Sequence, residues 1–455
     1  MTTANKTPSA KLDEARKILG TSYLSDDWEK TGTNLEEFFK ILKALDEVTS
    51  FEKTFIRDII LCSPARSDET GVVLKVHETE PHGKRLARTK FTNIGLDKLF
   101  GEFVKDRSCI LWQGGTSPIR LCREKGLREL MNSLGLSGSA IDKQSPCRDN
   151  YLAELISVAP EKRQVTLISR TEGTDVDKFE KVFSIRTEKY NSVPLAAMED
   201  VYTAICDADM GEIKCVGWTV NHDIATVDIE FPSATADFKE LCGLKDDIEA
   251  GVRLTTSGTG YSSFMAKETW RIHNTVSEHS TVKQKHIGKW DANDFVKNVK
   301  ENIFDEYCKL PERLCELFDI VLVNDEFVKN NSIKTAEAVL LNCTKSVFKH
   351  INLAAAFKSK LDEEKASRSS YVTKLAELLV ECFSVEMQKA IAEGCRFEIT
   401  AYDLAIAIMA LPERAKGIPQ SYLENFANSC GKAAYAEYKE GSNYIAKLPE
   451  ISIVA

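Results

Sequence analysis

From Val165 to Lys289 the chain reads VTLISR (165–170), SIRTEKYNSVPLAAMEDVY (184–202), GVRLTTSGTGYSS (251–263), ETWRIHNTVS (268–277) and KQKHIGK (283–289). Short alternating runs broken by glycine, proline and asparagine turns are the pattern of half-buried strands. GVVLKV, RQVTLISR, IKCVGWTV and VDIEF give the same reading, and in the last Val227, Ile229 and Phe231 alternate with charged residues. Two helices interrupt the strands. GLRELMNSL sets Leu127, Leu130, Met131 and Leu134 on one stripe, and a second helix is opened by Pro194, which suits a first helical turn, with Leu195, Met198, Tyr202 and Ile205 following.

On either side the period changes to that of a helix. Asn34 is placed to cap a helix with Glu36 and Glu37 in its first turn and Leu35, Phe38, Phe39, Leu42 and Leu45 on one face. Beyond Trp290, Phe295, Val299 and Ile303 recur every four residues, and the segments 336–357 and 371–392 are rich in Ala, Leu and Lys. Gly394 stands at a helix C-cap, Thr400 with Asp403 resembles a capping box, and Pro412 ends the run LAIAIMAL. The charged run 358–368 reads as an interhelical loop or exposed helix end. The expected fold is α+β: an N-terminal helical segment (1–60), a central mixed, strand-rich domain (61–290) and a helical C-terminal domain (291–455).

The 455 residues, 43% hydrophobic and 28% charged, are ample for sizeable cores and exclude a disordered chain. No apolar run approaches the roughly 18 residues of a membrane span, and MTTANKTPSAK has no signal-peptide core, so a cytoplasmic location is expected. The 13 cysteines form no CxxC pair, which argues for buried thiols rather than a disulfide framework or zinc ribbon; Cys308 and Cys315 would share one helical stripe.

Charge is unevenly placed. The net charge is −9, yet residues 200–250 hold twelve Asp or Glu against three Lys, whereas 251–290 hold six Lys or Arg against two Glu. Cations spaced along strands with aromatics among them are what a single-stranded nucleic acid requires, for phosphates and for base stacking. The candidate binding residues are Arg170, Arg186, Arg253, Lys267, Trp270, Arg271, Lys283, Lys285 and Lys289, with Tyr261, Phe264 and Trp290 nearby.

Other chemistry finds less support. SGTGYSS lacks the third glycine and the lysine of a phosphate loop and reads as a tight turn. His273, His279 and His286 have no compact metal-ligand spacing. Cys109 with His77 and His82 is a weak nucleophile–base set, and Asp207, Asp209 and Glu212 read as a solvated turn before a cation site. No catalytic residue, metal or cofactor is expected.

The order VTLISRTEG, EKYNSVP, GVRLTTSGTGYSS, RIHNTVS and KHIGKW resembles a family known as domain of unknown function 932, over residues 126–317. Thr255-Thr256-Ser257 replaces the family's Asn-Ser-Glu, and His273 with Asn274 and Thr275 replaces its Cys-x-Asn. Members are carried by phages, prophages and plasmids. The resemblance therefore implies a mobile-element protein, and with the basic strands it points to a homo-oligomeric DNA-metabolism protein that binds, anneals or protects single strands. A self-assembling structural protein and a protein-binding antagonist of host defence are the alternatives.

Overall fold

The computed structural model describes residues 8–20, 23–68, 71–77, 90–91, 109–113, 120–136, 148–172, 179–207, 211–232, 248–272, 275–286, 290–304, 320–348 and 368–409. The chain begins with α1 (Pro8–Leu19), β1 (Glu29–Gly32), α2 (Leu35–Val48) and β2 (Thr49–Phe55). It continues through β3 (Ile60–Asp68), β4 (Gly71–His77), β5 (Lys90–Phe91), β6 (Cys109–Trp112), β7 (Arg120–Cys122), α3 (Glu124–Ser133) and α4 (Arg148–Ser157). β8 (Gln164–Glu172), β9 (Phe179–Thr187), α5 (Ala197–Cys206), β10 (Lys214–Asn221), β11 (Ala225–Glu230), β12 (Ile248–Thr256), β13 (Phe264–Ile272) and β14 (Thr275–Gln284) complete the strand-rich part.

The fold is α+β, built on two large sheets. One has the order β1-β10-β11-β12-β13-β14 and is antiparallel throughout; the other has the order β2-β8-β9-β7-β6-β3-β4-β5, with β7 and β9 parallel. Each sheet buries one face under helices. Val220, Val227, Val252, Leu254 and Phe264 of the first pack with Phe38 and Leu42 of α2 and Met198 and Val201 of α5. Val165, Leu167 and Val182 of the second pack with Leu127 and Leu130 of α3 and Leu152 and Ile156 of α4. Removing such contiguous apolar surface from water, at about 25 cal/mol per Å², is the main force joining helices to sheets.

Local signals explain the element ends. The Asn34 side chain accepts from the Glu37 amide at 3.1 Å, and α2 stops where Thr49 turns extended. Residues 1–60 are nevertheless not a separate helical segment. β1 pairs with β10 and β2 with β8, so this stretch supplies an edge strand to each large sheet. The helix expected from Pro194 begins at Ala197, whose amide is accepted by the Pro194 carbonyl at 3.1 Å in a turn that precedes it.

After Trp290 the described elements are mainly helical. They are α6 (Ala292–Val299), a π-turn over 300–304, α7 (Asp325–Asn331), α8 (Ile333–Phe348), α9 (Arg368–Ala392) and α10 (Ala401–Met409). Two short strands, β15 (Val321–Asn324) and β16 (Glu398–Thr400), pair antiparallel among them, which the helical period gave no sign of. α9 ends in Gly394 at φ +67°, and Thr400 and Asp403 exchange reciprocal capping bonds before α10. Pro412 and nearly all of the charged run 358–368 lie outside the described residues.

Candidate nucleic-acid interface

Quoted segments far apart in sequence converge where the two sheets meet. Arg170, ending VTLISR on β8, is fully buried. Its Nε donates to Thr49 Oγ1 at 3.2 Å, Nη1 donates to His222 Nδ1, and Nη2 has no hydrogen-bond partner among the described residues and faces Gly258 of the SGTG turn. His222 Nε2 donates to the Ser25 carbonyl at 2.8 Å, which leaves Nδ1 as an acceptor. Burial, then the charges of Arg170 and Arg123, lower the His222 pKa to about 2, so the ring is neutral. Arg170 itself is lowered to about 10, by burial first and Arg123 second.

Around this pair, Lys181 and Arg123 both hold Asp26, at 2.8 and 2.9 Å. Asp223 accepts from Lys125 at 2.9 Å and Arg123 at 3.3 Å. Burial works to raise Asp223, but these cations keep it below the usual carboxylate range. The Phe183 ring lies within 5.7 Å of Lys181, 5.1 Å of Arg123 and 4.9 Å of Arg170, so its π face takes part of the buried positive charge. The Thr259 hydroxyl donates to the His222 carbonyl, and Arg186 Nε to the Thr259 carbonyl. The SGTG turn thus clamps one sheet to the other.

The basic stripe expected on the surface is largely consumed by such pairing. Arg170 is corrected to a buried joint residue. Arg186 is held by Glu129 at 3.0 Å, Arg253 by Asp228 at 2.6 Å, and Arg271 by Glu230. Lys267 is half-buried opposite Arg253. Trp270 is 5% exposed and its indole N–H donates to Glu268 at 3.1 Å; it is a core residue and offers no stacking face. Lys283 and Lys285 are exposed and take no ion-pair partner among the described residues. Lys289, His273, His82 and Asp209 lie outside the described residues, and among the described residues no cluster of three metal-ligating side chains occurs.

A different surface answers better to the same chemistry. On the edge strand β2, Phe51, Lys53 and Phe55 alternate on one face, with the two phenylalanines 42% and 39% exposed. Phe51 stacks on Tyr190 of the EKYNSVP turn, with centroids 6.3 Å apart, and Tyr190 stacks on His286 at 5.4 Å, each pair within 23° of parallel. Burial raises the Tyr190 pKa to about 12, keeping the phenol neutral. At the other end Phe55 pairs with Gln164, beside a groove of about 490 Å³ lined by Lys162, Arg163, Arg186, Asn132, Ser133 and Glu188, among others.

Lys53, Lys162, Arg163, Lys189 and Lys285 along this ridge are exposed and take no ion-pair partner among the described residues. Its carboxylates are mostly engaged: Glu52 by Arg120, Glu129 by Arg186 and Glu161 by Arg57, while Glu188 stays exposed. The signal for the ridge was present as the alternation in SFEKTF, but it followed directly on a helical period.

Comparison with protein-family models, curated proteins and solved structures finds no match to this chain. Among the described residues no helix is long and apolar enough to cross a membrane.

Proposed function

We propose that the protein binds single-stranded nucleic acid along the β2 ridge, in the cytoplasm of the host and in the DNA metabolism of a mobile element. The alternation of exposed Phe51, Lys53 and Phe55, with cations at both ends that take no ion-pair partner among the described residues, carries this reading. Flat aromatic faces stack on any base, and spaced ammonium and guanidinium groups track phosphates without reading sequence. The mobile-element assignment rests on the family resemblance of residues 126–317, and no part of the reading requires a catalytic group.

Binding of labelled single-stranded DNA, single-stranded RNA and duplex across a salt series tests it. The double variant Phe51→Ala, Phe55→Ala should lose about 1–3 kcal/mol per stacked base with the salt slope unchanged. The double variant Lys162→Ala, Arg163→Ala should instead flatten the slope by about 0.7 for each phosphate contact removed. Absence of binding, or affinities and slopes unmoved in both variants, would overturn the proposal.

A further inference from the structure

We infer that β2 is also a homotypic interface, pairing edge to edge with the β2 of a second copy about a two-fold axis. β2 ends the order of its sheet, so the edge facing away from β8 has no strand beside it among the described residues. Two of the common protections of such an edge are missing: β2 has no proline, and its pairing with β8 runs from Thr49↔Arg170 to Phe55↔Gln164 without a bulge. Of its two charges Glu52 is already held by Arg120, so the one edge-guarding charge is Lys53, which meets its like only in a pairing centred on itself.

The occupant follows from the sequence TSFEKTF. An antiparallel pairing centred on Glu52 is the register that uses all seven residues of both strands. On the aromatic face it sets each Lys53 opposite the other copy's Phe51, a cation beside a ring, and Thr49 opposite Phe55. On the other face Ser50 meets Thr54, hydroxyl against hydroxyl, and the two Glu52 carboxylates meet with an Arg120 guanidinium on each. Centring on Lys53 instead would oppose two unpaired ammonium groups. The axis stands perpendicular to the sheet, so both aromatic faces lie on one side and the two ridges merge into one patch with a Lys162-Arg163 pair at each far end. The inference stands independently of nucleic-acid binding.

Cysteine crosslinking reads the register. In the centred pairing residue 52 faces its own copy across the axis, with Cα atoms about 4.5–5.5 Å apart, inside the roughly 4.4–6.8 Å range of a disulfide. Glu52→Cys should therefore crosslink on mild oxidation well above the background of the native cysteines. Ser50→Cys, whose copies would stand about 14 Å apart at about 3.4 Å per residue, should not. Because Glu52→Cys leaves Arg120 unpaired, an equimolar mixture of Phe51→Cys and Lys53→Cys proteins serves as a second probe and should give the mixed dimer. Sedimentation of the unmodified protein should show a dimer or a larger species. A monomer at tens of micromolar, or Ser50→Cys crosslinking as well as Glu52→Cys, would overturn the pairing. Oligonucleotide binding on the same samples separates the two ideas: a register-specific dimer that binds no oligonucleotide keeps the pairing and removes the nucleic-acid reading, and a monomer that binds does the reverse.

Discussion

Gly260→Ala tests the joint between the sheets and its link to the ridge. Gly260 sits at φ +70°, where an alanine costs about 1–2 kcal/mol in backbone strain alone. The added methyl would also lie 2.6 Å from Tyr190 Cε2 and 2.9 Å from Arg186 Nε. Neither atom yields freely: the Tyr190 ring is stacked between Phe51 and His286, and Arg186 is tied to Thr259 and Glu129. Forcing packed groups aside costs about 1–3 kcal/mol more, for a total of about 2–5 kcal/mol. Gly135→Ala is the control, since Gly135 has φ +83° and nothing within 4 Å of the new methyl. It should lose the backbone part only, and the entropy that alanine removes from the unfolded chain cancels between the two variants. Urea denaturation followed by tryptophan fluorescence suits the measurement, because Trp28, Trp218 and Trp270 are buried in or beside the six-stranded sheet. Gly260→Ala should be less stable than Gly135→Ala by about 1–3 kcal/mol. Equal losses in the two variants would refute the tight approach of the turn to Tyr190 and Arg186, and with it the account of the joint.

His222 makes stability depend on pH. Its folded pKa, lowered to about 2, lies below the unfolded value of about 6.5, so the unfolded chain binds the extra proton; the contribution is intact above pH 6.5 and is lost as pH falls. Between pH 7 and 5 this loss is about 2 kcal/mol, and His222→Gln should flatten the dependence over that interval in pH-dependent urea titrations; an unchanged slope would show that the ring is not held neutral. Arg253→Ala and Arg271→Ala should change oligonucleotide affinity little beside Lys162→Ala with Arg163→Ala, because Asp228 and Glu230 already neutralise them. A larger loss from the first pair in the same salt series would return the interface to the strands 251–290.

The parts of the fold legible in the sequence are those fixed by neighbours in the chain. α2 follows from Asn34 and a helical stripe, and β11 from the alternation of Val227 and Ile229. The joint was legible only as fragments, since its contacts join Arg170 to His222 across 52 residues and Lys181 to Leu24 across 157. Trp270 misled for a local reason. The irregularity between Lys267 and Thr269 breaks the alternation, so Glu268, Thr269 and Trp270 are all buried, and polar neighbours no longer mark an exposed face.

The charge reversal at Gly251 misled for a topological one. The acidic stretch ending before it and the basic stretch beginning at it include β11, β12 and β13, which are neighbours in the same antiparallel sheet. Asp228 stands directly opposite Arg253 and binds it. Glu230 is two strands from Arg271 and diagonal to it: Arg271 stands opposite Glu249 on β12, and Glu230 lies in the next row, opposite Gly251, which pairs with Thr269 on its other side. A side chain there would come within 2.4 Å of the Ile229 carbonyl and 2.9 Å of Thr269 Oγ1, so the glycine is required by the close approach of the strands. With no side chain at Gly251, Arg271 reaches diagonally across β12 to Glu230. Two opposite blocks of charge in a linear sequence therefore need not mark a binding face; on adjacent antiparallel strands they cancel, and the cations left for a partner are those, such as Lys53, whose neighbouring carboxylate is already engaged by another cation.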